Sequence, residues 1–350
     1  FYKTFFVIVP VLLFSMSVSA SDTFSFEDIM RIAVKKNRKL KSAREDINIA
    51  LANKLSAISV ILPKIYLSAG YSRPGEGSES YSYGFSASQS LFSGFENVSR
   101  IKIAEENLLL ARASYELALA EVVYDVKLKY INLYRAREFI KLYQEILERR
   151  KWQFEMVKLK FESGYEHKGS FLNIKASLSK AEVDLRSAIR NESVAEKELC
   201  IAVGYDHLEK LKIKWEPIAP LEPGKETPDF REITLKTASY KKLVHTKRIA
   251  ELEATISKSA YYPEISASAR WERSGADFLP ENESWRAGIN ISLSLFQGFD
   301  RVSKQSSTWS SYLKAEINEK QGYFEKTIAL EKKWNALMDA FDKKIVNKES

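Results

Sequence analysis

A chain of 350 residues has room for about two or three ordinary domains, and its 45% hydrophobic content leaves ample material to bury. The net charge of +8 comes from Lys and Arg interleaved with Glu along helical stretches. That is the pattern of solvated helix faces and argues against nucleic-acid binding. The single cysteine, Cys200, excludes an intramolecular disulfide framework, and only 13 Gly and 9 Pro suit long uninterrupted helices.

Residues 1–20 read as a secretory signal peptide. Lys3 supplies a positive end, residues 5–14 an apolar core, and Val18, Ser19 and Ala20 a small-residue cleavage pattern. The apolar run is too short to cross a bilayer as a helix, and Pro10 interrupts it. Ser25, with Asp28 three residues on, predicts a helix start with Ser25 as cap. The helical pattern then continues to about Leu62, where Pro63 stops it.

A strand pair follows within residues 63–95. Ile65, Leu67, Ala69 and Tyr71 alternate with small or polar neighbours, as do Tyr81, Tyr83, Phe85 and Ala87 on the return, with a turn by composition at residues 73–80. From about Asn97 the apolar period lengthens to about 3.5, the spacing of a coiled-coil seam. Ile101, Ala104, Leu108, Ala111, Tyr115, Ala118 and Val122 carry it, and Leu119, Val123, Val126, Tyr130 and Leu133 form a second stripe. One helix with two stripes must pack on two sides. No Pro or Gly intervenes before Ser163, which predicts a helix of about 100 Å.

Residues 164–170 break that helix, and residues 171–203 return as a second one, making a helical hairpin with Gly164 and Gly169 at its tip. A Pro-rich connector spans residues 204–229. A helix from about Phe230 to Ala260 then leads to Pro263, mirroring the one that leads to Pro63, and a second strand pair lies within residues 263–299. There Trp285, Ala287, Ile289, Ile291, Leu293 and Leu295 form one face, and Ser284, Arg286, Gly288, Asn290, Ser292 and Ser294 the other. Another long helix starts near Arg301. The chain thus reads as two repeats, residues 21–203 and 230–350.

Four alternating strands cannot close a barrel alone, so the sequence predicts an oligomer. In a membrane barrel the apolar face would meet lipid and the polar face line water. Tyr71, Tyr81, Trp271, Trp285, Phe296 and Phe299 fall near strand ends, where interfacial girdles sit.

The two Pro-strand-turn-strand modules both end in Leu-Phe-x-Gly-Phe, at residues 91–95 and 295–299. With Ala33, Asn37 and Leu40, which resemble an Ala-Leu-x-x-Asn-Pro-x-Leu pattern bearing Arg38 in place of proline, and with the tip segment at residues 161–176, they make the chain resemble the TolC-like outer-membrane efflux family. The resemblance implies a mainly α fold with a small membrane β part. Long antiparallel coiled-coil helices would form an α-barrel, and four strands per protomer would enter a shared barrel of about twelve in a homotrimer. It implies outer-membrane lipid, a periplasmic adaptor (membrane fusion) protein and an inner-membrane transporter as partners, no cofactor, and an outer-membrane location with a periplasmic extension. The function implied is a passive conduit for efflux or type I secretion.

On this reading Ser82, Ser86, Ser88, Arg286, Asn290, Ser292 and Ser294 line the pore. Gly94 and Gly298 make the turns from strand to helix, and Gly164, Tyr165, His167, Lys168 and Phe171 face the adaptor. Applying the Gly94-to-Gly298 spacing to Gly164 puts a second helical tip beyond Ser350, as expected of a fragment or a truncated product. No catalytic or metal-binding set is present: His167, His207 and His245 are isolated, and no Gly-rich phosphate loop follows a strand. The competing reading is a non-conducting structural coiled-coil envelope protein. A periplasmic adaptor fits less well, since it needs a biotinyl-lipoyl-like sheet domain that the duplicated hairpins do not provide.

Overall fold

The computed structural model describes residues 24–73, 75, 79–205, 213–214, 224 and 226–349. The expected signal peptide, His207, most of the Pro-rich connector and part of the first hairpin turn lie outside the described residues. The elements in order are α1 (Phe26–Lys36), α2 (Arg38–Ser59), β1 (Lys64–Ser72), β2 (Ser80–Ser93), α3 (Glu96–Glu162), α4 (Lys168–Val203), α5 (Phe230–Lys236), α6 (Ala238–Ser259), β3 (Glu264–Gly275), β4 (Asn282–Ser292) and α7 (Asp300–Glu349). The protein is mainly helical with one antiparallel sheet.

Local chemistry sets the first helix. The Ser25 hydroxyl accepts from the Asp28 N–H at 3.2 Å, and the Asp28 carboxylate accepts from the Ser25 N–H at 3.2 Å, a reciprocal capping box. The single helix expected up to Leu62 is in fact two. Asn37 leaves the helical region (φ −55, ψ 128), and its amide donates to the Ala202 carbonyl at 2.7 Å. A tertiary hydrogen bond to a buried carbonyl outweighs one more turn of helix here.

The chain divides into two compact units. The first holds α1, the later part of α3 (residues 122–162) and α4. Ile29, Ala33, Val126, Tyr130, Leu133, Leu199, Cys200 and Val203 are nearly sealed from solvent and form its core. The Phe26 ring packs on Tyr130 at 4.9 Å between centroids. Ion pairs join α3 to α4, Lys129 to Glu198 at 2.8 Å and Arg137 to Glu192 at 2.9 Å. Cys200 is buried, and that burial raises its thiol pKa, so it packs as an inert small side chain.

The second unit holds α2, the first part of α3 (residues 96–121), α5, α6, α7 and the sheet. Lys54 pairs with Glu105 at 3.0 Å to tie α2 to α3, and His245 meets Glu106 at 2.7 Å to tie α6 to α3. Between α6 and α7, Lys247 meets Glu319 at 3.2 Å and Thr308 donates to Ser257 at 2.9 Å. Helix α3 is 67 residues long, about 100 Å. Its predicted seam faces inward throughout: Ala104, Leu108, Ala118 and Val122 are buried, and Ile101, Ala111 and Tyr115 half-buried. Alanine at alternate seam positions lets neighbouring helices approach closely.

The sheet order is β1-β2-β3-β4, every pair antiparallel. β2 and β3 are central. β2 runs on to Ser93, past the alternation that ends at Ala87, because β3 pairs with it down to Glu264, with a register shift between Ser90 and Phe92. β4 stops at Ser292, the partner of Glu264. The alternation predicted through Leu295 continues in the sequence, but β3 begins at Glu264, so no strand remains for residues 293–295 to pair with.

Candidate functional site

The register sorts the sheet into two chemically opposite faces. Across the strands, Leu67 opposes Phe85, Phe85 opposes Trp271, and Trp271 opposes Trp285. One step on, Ile65 opposes Ala87, Ala87 opposes Ala269, and Ala269 opposes Ala287. Alternation places Ile289 and Ile291 on this same face. The side chains are not covered by the protomer: Ile65 and Leu67 are each 73% exposed, Ile289 68% and Trp285 76%. A continuous apolar sheet face this open requires an apolar medium or partner.

The other face carries Ser68, Ser82, Ser86, Ser88, Ser268, Arg270, Glu272, Ser284, Arg286, Asn290 and Ser292, with Gly70, Gly84 and Gly288 between them. The Ser68 hydroxyl donates to the Gly84 carbonyl at 3.3 Å. Arg270 lies 3.1 Å from Glu272. This is a wet surface one side chain away from a dry one, the division expected of a barrel wall.

Aromatic groups mark both ends of the apolar face. Toward the hairpin turns, Tyr71 meets Tyr81 at 5.0 Å, Tyr81 meets Phe278 at 5.8 Å, and Phe85 meets Trp271 at 6.0 Å. The Tyr83 hydroxyl donates to the Phe278 carbonyl at 2.9 Å, and the Trp271 indole N–H to Glu283 at 2.8 Å. Toward the helices, Phe95 meets Phe92 at 5.4 Å and Tyr262 at 5.9 Å. The edge strands β1 and β4 have 9 and 11 residues, the length of tilted membrane strands, and the central β2 and β3 run longer, to 14 and 12. Phe92 and Phe95 are the two phenylalanines of the first Leu-Phe-x-Gly-Phe motif, whereas Phe278 and Tyr262 stand outside the alternating runs and only their position beside turns marks them.

Of the residues predicted to line a pore, Ser82, Ser86, Ser88, Arg286, Asn290 and Ser292 share the polar face. Ser294 lies past the end of β4, where its carbonyl accepts from the Arg301 guanidinium. Gly94 and Gly298 both sit at the strand-to-helix turns with left-handed backbone, φ 59 and φ 64. Phe95 follows Gly94 in the same region at φ 69, held by its two aromatic neighbours.

The helical tip divides its predicted residues. Gly164 turns the chain at φ 75, and Tyr165 stands 86% exposed beside it. His167 caps α4, its Nδ1 accepting from the Ser170 N–H at 3.2 Å. Lys168 opens the helix and is exposed. Phe171 is half-buried instead: it stacks on Phe161 at 5.0 Å and meets Phe154 at 5.8 Å, clamping α3 to α4.

A groove of about 1060 Å³ opens between α2, α3, α6 and α7, lined by Ile49, Ala50, Ile103, Ala104, Asn107 and Ile256 among others. Among the described residues no group of His, Cys, Asp and Glu could hold a metal ion, and no helix is long and apolar enough to cross a membrane.

Comparison with known proteins agrees with this geometry. A family model described as outer membrane efflux protein matches residues 29–204. Comparison with curated proteins returned no match. Among solved structures, the chain is similar to the CmeC outer membrane channel of Campylobacter jejuni, with TM-score 0.76 and 18% identity over 91% of this chain and 74% of that one. It is similar to the MtrE outer membrane channel of Neisseria gonorrhoeae, with TM-score 0.69 and 19% identity over 91% and 74%. The outer membrane protein VceC of Vibrio cholerae gives TM-score 0.70 and 17% identity over 86% and 75%. These likenesses establish the fold.

Proposed function

The chain belongs to the outer membrane efflux protein family, which matches half its length and places it in the outer membrane of a Gram-negative envelope, and we propose that it is one protomer of a passive trimeric conduit. It is an efflux protein and not an enzyme.

The observation that carries the proposal is the sheet with two free edges. β1 and β4 each pair on one side only, while the apolar face between them is bare. In hydrocarbon each unpaired backbone group costs several kcal/mol, so an open edge cannot stand in a bilayer. Three copies joined β4 to β1 would give about twelve strands and no edge, with the serine-rich face around water. The left-handed turns at Gly94 and Gly298 then hand each hairpin to α3 and α7, which would continue the wall into the periplasm.

The energy for export would come from an inner-membrane transporter. A periplasmic adaptor would meet the exposed tip around Gly164, Tyr165, His167 and Lys168, with Phe171 keeping the hairpin closed beneath it. The test is recovery of a heat-resistant trimer from outer-membrane fractions that conducts ions in planar bilayers. A monomeric or non-conducting species would leave the structural coiled-coil reading in its place.

A further inference from the structure

Arg270 of β3 and Arg286 of β4 are directly opposed partners in the ladder, on the polar face. Like charges in that relation destabilise a strand pair, where opposite charges would stabilise it. The row continues with Ser86 on β2 and Tyr66 on β1, neither of them acidic. Glu272 neutralises only one of the two: it lies 3.1 Å from Arg270, while Arg286 makes no ion pair among the described residues. A recess of about 460 Å³ lies at the pair, bordered by Ser86, Ser88, Ser268, Ser284 and Glu272. With Glu272 engaged by Arg270, the Arg286 charge looks into open space bordered by hydroxyls.

The opposite face treats its cation differently. Arg273 is held 3.1 Å from Glu283 and lies over the Trp271 ring at 5.7 Å. A charge on the apolar face is cancelled at the rim, whereas an excess positive charge is kept on the wet face, where it lowers the stability of its own strand pair.

We propose that Arg270 and Arg286 form an anion-selecting station in the channel, favouring solutes with exposed chloride-like or oxyanion charge over cations. This rests on the conduit reading above. A barrel of about twelve strands spaced about 4.8 Å and tilted about 40° has a backbone radius of about 12 Å. Arginine side chains span roughly half of that, so guanidinium groups contributed by each copy stand about 6 Å from the axis. The Debye length is about 10 Å at 0.1 M salt and about 3 Å at 1 M. The field of such a ring thus fills the lumen at moderate salt and is screened at high salt, as in other pores lined by charged rings.

The test uses the full chain in planar bilayers under a potassium chloride gradient, reading reversal potential. The wild type is expected to prefer chloride at low salt, with the preference shrinking as salt rises. Arg286→Gln should lower the chloride-to-potassium permeability ratio, and Arg270→Gln with Arg286→Gln should lower it several-fold, with open channels still observed. Arg273→Gln, on the outer face, should leave the ratio unchanged. If the double variant forms no channels, the single Arg286→Gln decides. Normal channels with the same selectivity in wild type and Arg286→Gln would overturn the inference alone. A wild type that opens no channels would remove the conduit reading and the inference with it.

Discussion

The Ser259 carbonyl oxygen occupies the space where a side chain on Gly94 would begin: a Cβ there would stand 2.6 Å from it. Gly298 holds nearly the same backbone conformation, yet a Cβ there would meet nothing within 4 Å. The two turns, alike in sequence, are therefore unequal. Gly298→Ala should cost about 1–2 kcal/mol, the strain of a left-handed alanine. Gly94→Ala adds a collision with backbone and should cost about 2–4 kcal/mol. Thermal dissociation of the assembled protein in detergent would rank them, and equal losses would contradict the close approach at Gly94.

Alternating substitutions on β4 separate the two faces of the sheet. Ile289→Arg should cost about 2–4 kcal/mol in a bilayer, since it lies inside the strand, and Ile291→Arg less, since it lies one residue from the strand end. Asn290→Arg, between them on the polar face, should assemble normally. The measurement is urea unfolding in liposomes. Comparable behaviour at positions 289 and 290 would count against a membrane wall.

At the helical tip, packing and docking fall on different residues. Phe171→Ala removes a ring half-buried between Phe161 and Phe154 and should cost about 1–3 kcal/mol. Tyr165→Ala removes an exposed ring and should leave the melting midpoint unchanged. If the tip meets an adaptor, Tyr165→Ala should weaken export or crosslinking to that partner while the assembled protein stays intact. A drop in thermal midpoint on Tyr165→Ala would show that the ring packs in the assembly.

Tyr240 and Glu319 make the α6–α7 contact sensitive to pH at both extremes. The hydrogen bond from Tyr240, with a second from Lys247, holds the Glu319 carboxyl below its ordinary 4.5. Burial, reinforced by Glu319, pushes the Tyr240 hydroxyl from 10.0 up to about 12. A lowered carboxyl pKa stabilises the fold above 4.5, and the contribution is lost as pH falls below that value. A raised phenol pKa contributes fully below 10.0, and that contribution is lost as pH rises toward about 12. Tyr240→Phe should remove this residue's alkaline loss and weaken the acid dependence, read as urea midpoint against pH. An unchanged pH profile in Tyr240→Phe would show that the contact carries no such linkage.

Features written in local chemistry were legible beforehand. The capping box at Ser25 and Asp28 needs only residues three apart, and the inward seam of α3 follows from its spacing. The strand faces follow from alternation, which survives into the register from Leu67 to Trp285. Features that depend on distant partners were not legible. The break at Asn37 exists because of the Ala202 carbonyl. β4 ends at Ser292 because β3 begins opposite it, which moves Ser294 off the wall although its sequence pattern is unbroken. The opposition of Arg270 and Arg286 likewise needs the register, since their spacing along the chain does not fix which residues face each other.

The strand order also sets a timetable for biogenesis. β2 and β3 pair along most of their length, yet α3, α4, α5 and α6 lie between them in the chain. The first hairpin is thus translated and exported long before its neighbour exists, and a lone two-stranded hairpin is marginally stable at best. Throughout that interval Ile65, Leu67 and Phe85 have neither lipid nor sheet to cover them. A hairpin with an uncovered apolar face is prone to aggregate, so the topology makes the stretch of chain between β2 and β3 the interval in which that hazard is greatest.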